Sequence, residues 1–75
     1  MATLVDIVNG QSARVAGVRE QDEVSQRLLE MGLTPGVEIR RIGSAPLGDP
    51  LEFELRGYRL SLRRSEAARV DVANI

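Results

Sequence analysis

The fold is decided by residues 27–36, which read Arg-Leu-Leu-Glu-Met-Gly-Leu-Thr-Pro-Gly. The first half of this stretch continues a helical pattern in which Val24, Leu28 and Met31 recur at i, i+4 and i+7 and therefore share one face. The second half contains the residue types that end helices and build turns. We therefore expect one short amphipathic helix over about Glu23 to Met31, followed at once by a strand.

Both ends of this helix carry sequence signals. Asp22 can accept hydrogen bonds from the first free backbone N–H groups, as an N-cap residue does. Gly32 suits the left-handed conformation that terminates a helix, and Leu33 is then expected to fold back onto Leu28 in a Schellman motif. The next residues, Thr34-Pro35-Gly36, have proline and glycine in the order that a type II turn needs.

A hairpin is the clearest strand signal in the chain. Apolar and polar side chains alternate with period two over residues 51–55 and again over residues 58–62. A two-residue Arg56-Gly57 turn joins the two segments. This register pairs Leu51 with Leu62, Phe53 with Leu60, Glu54 with Arg59 and Leu55 with Tyr58. It predicts an apolar inner face, with Phe53 and Tyr58 inward, and an outer Glu54–Arg59 ion pair.

Three more strands are expected over residues 13–18, 37–44 and 69–72. The alternation of the second of these fails at Arg40-Arg41, where we expect a β-bulge that returns Ile42 to the core. Five short strands and closely spaced turns favour a mainly β fold, a small closed or nearly closed barrel with the helix over one open end.

The remaining segments are irregular. Residues 1–10, with apolar side chains at positions 4, 5, 7 and 8, are compatible with a helical turn or with an extended edge. Residues 44–50 contain two prolines and a glycine and predict a mobile surface loop with one conspicuous apolar residue, Leu47. Residues 65–68 predict a single capped helical turn.

Composition limits what the chain can do. Its 75 residues suggest a single domain spanning residues 1–75, with an aliphatic core, since the chain has one Phe, one Tyr and no Trp. All ten basic residues are Arg, and the net charge is −1. The N-terminal residues show neither a signal peptide nor an apolar run that could span a bilayer, so we expect a cytoplasmic protein without membrane insertion.

Catalysis, metal binding and nucleotide binding are not expected. The chain has no Cys and no His, and no Lys to replace them as a base, so its serines lack an activating partner. Ferrous iron sites usually use imidazole or thiolate along with carboxylate. Neither a Walker-type loop nor a dinucleotide-binding glycine pattern occurs. We therefore predict no enzyme activity, no metal site and no cofactor.

A family resemblance covers nearly the whole chain. The run Leu29-Glu30-Met31-Gly32-Leu33-Thr34-Pro35-Gly36, with Gly10 and Val15 before it and Gly57 to Arg63 and Glu66-Ala67 after it, resembles the FeoA family. The positions that carry the motif are Gly10, Met31, Gly32, Leu33, Pro35, Gly36, Gly57, Leu60, Leu62 and Arg63. The resemblance implies an SH3-like small barrel that serves bacterial ferrous iron uptake. It also implies a partner, the FeoB-type membrane transporter with its GTP-hydrolysing cytoplasmic domain.

Protein binding is the function class that remains after these exclusions. Three residues are candidates for partner binding: Arg27 on the solvent-exposed face of the helix, Arg41 at the expected bulge and Leu47 in the loop. Arg41 is expected to point at a carboxylate of the partner, while Leu47 either anchors a partner or covers the barrel. Homo-oligomers remain open as well.

Two alternatives belong to other classes. Small barrels often bind RNA, and a basic surface could form from Arg40, Arg41, Arg56, Arg59, Arg63 and Arg64. Nucleic acid is nevertheless an unfavoured partner, because the two aromatic side chains are expected inward and the chain is acidic overall. The chain also resembles the C-terminal domains of metal-dependent repressors, of which it would be a detached copy.

Overall fold

The computed structural model describes residues 2–73. Its elements in chain order are a first 3₁₀ turn (Leu4–Asp6), β1 (Ser12–Val18), α1 (Glu23–Glu30), β2 (Glu38–Ser44), a second 3₁₀ turn (Pro46–Gly48), β3 (Leu51–Leu55), β4 (Tyr58–Leu62), α2 (Arg64–Ala67) and β5 (Val70–Ala73). The mainly β fold with one interrupting helix, expected from the sequence, is confirmed. No helix among these residues is long and apolar enough to cross a membrane.

The five strands form one antiparallel sheet in the order β4-β3-β2-β1-β5. The strands bend around a largely aliphatic core, in which Phe53, Leu28, Leu33 and Ile39 are fully buried. Within the described residues β4 and β5 do not pair with each other, so the barrel is nearly closed and α2 connects its two edge strands.

Helix α1 begins and ends as its sequence predicts. The Ser25 N–H donates to Asp22 Oδ1 at 3.0 Å, which confirms Asp22 as the N-cap. At the other end the Leu33 N–H donates to the Leu28 carbonyl at 3.2 Å, and Gly32, with φ +105°, donates its N–H to the Leu29 carbonyl at 3.0 Å. These two bonds are the Schellman motif, and Leu33 is buried as that motif requires.

Gly32 is also needed for space. A Cβ atom at this position would lie 2.6 Å from Tyr58 Oη, because the Tyr58 hydroxyl donates a hydrogen bond to the carbonyl of Met31, the C-cap of α1. The expectation that Tyr58 points inward is wrong, since the residue is 43% exposed. Its hydroxyl needs a polar partner, and the free carbonyls at a helix C-terminus supply one.

The β3–β4 hairpin confirms the predicted register at every pair. Arg56 and Gly57 have φ values of +50° and +82°, the two positive values that define a type I′ turn. The predicted Glu54–Arg59 ion pair is wrong. Glu54 lies between Arg40 of β2 and Arg59 of β4, and its carboxylate accepts from Arg40 at 2.8 Å.

Strand β2 contains the predicted bulge, but at a later position. The register shifts between Arg41 and Gly43, so Ile42 is the extra residue, and Ile42 stays half-buried outside the core. The expectation that Ile42 returns to the core is therefore wrong. Arg41 keeps the inward register opposite Phe53, because its guanidinium donates to the buried Ile7 carbonyl at 2.9 Å.

The N-terminal segment forms both of the structures that the sequence left open. A 3₁₀ turn capped by Thr3 places Leu4 and, just after it, Ile7 in the core with no exposed surface. Before the turn, Thr3 bridges to Asp71, and the Val72 N–H donates to the Ala2 carbonyl at 2.9 Å. This segment therefore covers the outer edge of β5.

A polar cluster fastens the start of α1 to the start of β5. Arg69 Nη1 donates to both carboxylate oxygens of Asp22 at 2.6 and 2.7 Å, and Arg19 Nε donates to Asp71 Oδ1 at 2.8 Å. Between them Ser25 Oγ donates to the Arg19 carbonyl at 2.5 Å. The hydrogen bond from Arg69, followed by that from the Ser25 N–H, lowers the pKa of Asp22 from 3.8 to about 2.

Gly32→Ala is expected to destabilise the chain more than Gly36→Ala. Both glycines have positive φ, +105° and +93°, so an alanine at either costs roughly 1 kcal/mol of backbone strain. Of these two positions, only Gly32 has atoms within 4 Å of the added carbon, and the nearest is the Tyr58 hydroxyl oxygen. Urea unfolding of both variants measures the difference, and equal losses would contradict the close approach of Tyr58.

Asp22→Asn is expected to lower stability at neutral pH and to lose that effect in acid. Asn retains the helix cap but cannot pair as an anion with Arg69. Since the pKa of Asp22 is lowered in the folded chain, its contribution is present above the ordinary value of 3.8 and disappears as the pH falls toward about 2. Urea unfolding of both proteins at a series of pH values tests this, and a gap that stays constant across the series would contradict it.

Candidate partner-binding surface

Helix α2 is a single turn held by its own glutamate. It starts at Arg64, one residue before the predicted turn, and the Arg63 N–H donates to Glu66 Oε1 at 2.9 Å. A Glu three residues beyond the N-cap commonly reaches back in this way. Glu66 is therefore fixed in position, with its second carboxylate oxygen available to another element.

Arg27 uses that second oxygen. Its Nη2 donates to Glu66 Oε2, and this bond links the solvent-exposed face of α1 to α2. The Arg27 side chain remains 57% exposed, whereas that of Glu66 is 19% exposed. The partner-binding candidate Arg27 thus lies on the surface with its guanidinium already oriented.

We call residues 45–50 the Leu47 loop. The loop closes on itself, since the Ala45 N–H donates to the Pro50 carbonyl at 2.9 Å. It is also tied to α2: Arg64 Nε donates to the Gly48 carbonyl at 2.8 Å, and the Arg64 N–H donates to Asp49 Oδ1 at 3.1 Å. These bonds organise the segment that the sequence predicts to be mobile.

Leu47 itself is fully exposed and has φ +73°. A left-handed conformation costs a residue with a Cβ roughly 1–2 kcal/mol. The hydrogen bonds from Ala45 and Arg64 hold the loop in this conformation, because the Leu47 side chain makes no buried contact that could offset the backbone strain. Of the two readings that the sequence left open, covering the barrel is wrong, because the Leu47 side chain lies in solvent.

Two of the three candidate residues, Arg27 and Leu47, are connected to helix α2. Arg27 reaches α2 through Glu66, and the Leu47 loop reaches it through Arg64. We call Arg27, Leu47, Arg64 and Glu66 the α2 surface. It combines one exposed apolar side chain with charged neighbours, as protein interfaces do.

Arg41 lies apart from the α2 surface. Its guanidinium bonds to the Ile7 carbonyl, on the inward side of β2. The expectation that it points outward toward a partner does not match this orientation, and a partner-binding role for Arg41 stays a prediction.

The motif positions from the family resemblance build turns and core. Gly10, Gly32, Gly36 and Gly57 take positive φ in turns, and Leu33, Leu60 and Leu62 are buried. Met31 is the C-cap of α1, Pro35 lies in the turn after it and Arg63 is the N-cap of α2. Their arrangement explains the fold but does not assemble a binding site.

Arg64 and Glu66 support the α2 surface, although neither is among the binding residues expected from the sequence. The spacing from Arg63 to Glu66 is a capping signal and could have located Glu66. The Arg64–Gly48 bond joins residues that are distant in sequence, and no local pattern marks it.

Other features offer little chemistry. An open groove of about 640 Å³ runs between the turn at Gly36 and the hairpin turn at Gly57, and the Arg40–Glu54 ion pair lies along it. Among residues 2–73 no group of three or more His, Cys, Asp or Glu is placed to hold a metal ion.

Comparisons with known proteins agree on one family. A family model described as the FeoA domain matches residues 2–74. A Porphyromonas gingivalis fusion of Fe(2+) transport protein A with the Fe(2+) transporter FeoB is 35% identical over 69 residues, which are 92% of this chain and 8% of that protein. The chain thus spans less than a tenth of that relative's length.

Solved structures support the same assignment. A Stenotrophomonas maltophilia FeoA in complex with zinc, an SH3 domain protein suggested to activate ferrous iron transport, is 35% identical with a TM-score of 0.86. The match covers 97% of this chain and 91% of that one. The manganese-activated repressor ScaR matches 97% of this chain and 35% of its own with a TM-score of 0.82 but only 23% identity. That second likeness shows a shared fold alone.

Arg41→Met is expected to destabilise the chain by about 1.5–3 kcal/mol, since the buried Ile7 carbonyl would lose a charged donor. Arg40→Met is the matched control, because Arg40 is half-exposed and its ion pair with Glu54 contributes less than about 1 kcal/mol. Urea unfolding compares the two variants. Equal and small losses would mean that Arg41 is available to a partner.

Proposed function

The chain belongs to the FeoA family, and on that premise we propose that it is a non-enzymatic accessory protein of ferrous iron transport. We propose that it acts by direct contact with a FeoB-type transporter. The observation that carries this proposal is the fused relative, in which a segment similar to nearly all of this chain shares one polypeptide with an Fe(2+) transporter. Fusion holds the two parts at a high effective concentration, which favours direct contact between them.

The place of action follows from the partner. The resemblance to the FeoA family implies that the transporter's GTP-hydrolysing domain is cytoplasmic, so we place the chain in the cytoplasm as well. The proposed non-enzymatic role is supported by the residue types, since no Cys, His or Lys is available as a nucleophile or a base.

The α2 surface is the proposed contact. Leu47 exposes its whole side chain, and burying it against a partner would contribute roughly 1.5–3 kcal/mol. The charged rim that such an anchor usually has is supplied by Arg64 and Glu66 of α2 and by Arg27, which is bonded to Glu66. Since the loop is already ordered by Arg64, binding would not have to order it.

Binding of the purified chain to the detergent-solubilised FeoB-type transporter of the same organism, with and without GTP, tests this proposal. We expect binding that depends on the nucleotide. Leu47→Glu should weaken it at least tenfold, because burial of such an anchor contributes roughly 1.5–3 kcal/mol and about 1.4 kcal/mol corresponds to tenfold in affinity. Val8→Glu is the matched control, since Val8 is likewise an exposed apolar residue, at 62%, and lies in the turn before β1, where its N–H donates to Gln11 and not to a residue of the α2 surface.

The possible outcomes separate the partner from the surface. Lack of binding in every nucleotide state would contradict the proposed function. Binding that Leu47→Glu and Val8→Glu leave equally strong would keep the partner and reject the α2 surface.

A further inference from the structure

The two edges of the sheet differ in how they are protected. The outer edge of β5 is covered by the N-terminal segment through the Thr3–Asp71 bridge and the Val72–Ala2 hydrogen bond. The outer edge of β4 has no neighbouring strand within the described part of the chain. Edge strands expose a row of free N–H and C=O groups unless something covers them.

The hairpin geometry identifies the free groups. In a hairpin with a two-residue turn, the pair next to the turn is hydrogen-bonded, and hydrogen-bonded pairs then alternate along the ladder. Tyr58, Leu60 and Leu62 therefore direct their backbone groups toward β3. Arg59 and Ser61 direct theirs outward, where residues 2–73 give them no hydrogen-bond partner.

The same edge carries unused positive charge. Seven of the arginines donate a side-chain hydrogen bond within the described residues: Arg14, Arg19, Arg27, Arg40, Arg41, Arg64 and Arg69. The other three, Arg56, Arg59 and Arg63, make none there, and they stand before, within and after β4.

Nearby carboxylates neutralise these three arginines only in part. The Glu54 carboxylate is paired with Arg40. The Glu66 carboxylate accepts from Arg27 and from the Arg63 N–H. Within residues 51–63 the three arginines outnumber the two glutamates, Glu52 and Glu54, so the hairpin has an excess of positive charge. Free backbone groups and free guanidinium groups thus coincide along one strand.

We propose that β4 is a docking edge for an extended segment of a protein partner, which adds to the sheet as a further strand and places carboxylates beside Arg59 and Arg63. Strand addition obtains affinity from main-chain hydrogen bonds and selectivity from alternate side chains. Arg59 and Arg63 are four residues apart in extended backbone, so carboxylates at alternate positions of the added strand fall on the same face. This inference does not depend on the identity of the transporter.

Charge selects an acidic peptide over other occupants. A second copy of this chain paired along β4 would bring the same arginines together, and like charges on adjacent strands are destabilising. A nucleic acid would meet the charges but cannot continue an N–H to C=O ladder. An acidic extended peptide satisfies both the charges and the backbone.

The probe for this edge is a synthetic peptide in which Glu alternates with Val, added to the isotope-labelled full chain and followed by amide NMR. We expect chemical-shift changes centred on Arg59, Ser61 and Arg63, and no such changes with the same peptide carrying Lys for Glu. Methylation of the peptide's backbone nitrogens on its pairing edge should abolish binding. Methylation on the opposite edge should leave it intact.

Protein variants complete the experiment. Ser61→Pro removes the outward N–H while leaving the Leu60 and Leu62 pairs with β3, and it should abolish binding. Arg59→Glu leaves the backbone unchanged and should weaken binding roughly fivefold or more, with Arg14→Glu on β1 as the control of equal charge change.

Three results would overturn the proposal. They are equal binding of the Glu and Lys peptides, shift changes that lie away from β4, and concentration-dependent self-association that Arg59→Glu or Ser61→Pro abolishes. The last result would assign the edge to a second copy of the chain.

Discussion

The rest of the structure depends on the junction at Gly32, where the helix ends against the hairpin. Gly32 reverses the chain through a Schellman motif, and the Tyr58 hydroxyl occupies the space that a side chain there would need. The same hydroxyl satisfies the Met31 carbonyl at the end of α1. One glycine therefore sets both the direction in which β2 leaves the helix and the distance between the helix and β4. A Cβ-bearing residue here would be strained at φ +105° and would have to displace the Tyr58 hydroxyl from the Met31 carbonyl.

This junction positions the two surfaces that we propose as partner contacts, the α2 surface and the β4 edge. Because α1 is held at its C-terminal end by Tyr58 and at its N-terminal end by Arg69, its wet face presents Arg27 to Glu66 of α2. Helix α2 in turn carries the Leu47 loop. The β4 edge begins at Tyr58 itself and runs toward α2. Both surfaces thus adjoin the short connection from β4 to α2, so that one partner could contact Leu47 and add a strand beside Arg59.

Local patterns predicted the elements, and long-range partners decided the exceptions. The hairpin register, the Asp22 cap, the end of α1 at Gly32 and the turn at Gly36 each follow from a few neighbouring residues. Arg41, Tyr58 and Glu54 were misplaced because each is held by an atom distant in sequence: the Ile7 carbonyl, the Met31 carbonyl and the Arg40 guanidinium. The α2 surface was not predicted, in part because the Arg64–Gly48 bond also joins residues that are distant in sequence. Family membership came from motif residues that build turns and core, which is why it identifies the fold better than the contact surface.

A double-mutant cycle between Gly32→Ala and Tyr58→Phe tests the central contact most directly, with the free energy of unfolding measured for all four proteins. If the Tyr58 hydroxyl fills the space beside Gly32, the alanine costs less stability when that hydroxyl is absent, and the interaction energy is roughly 0.5–3 kcal/mol. Effects that add to within about 0.5 kcal/mol would contradict the account, because the helix end and the hairpin would then be positioned independently.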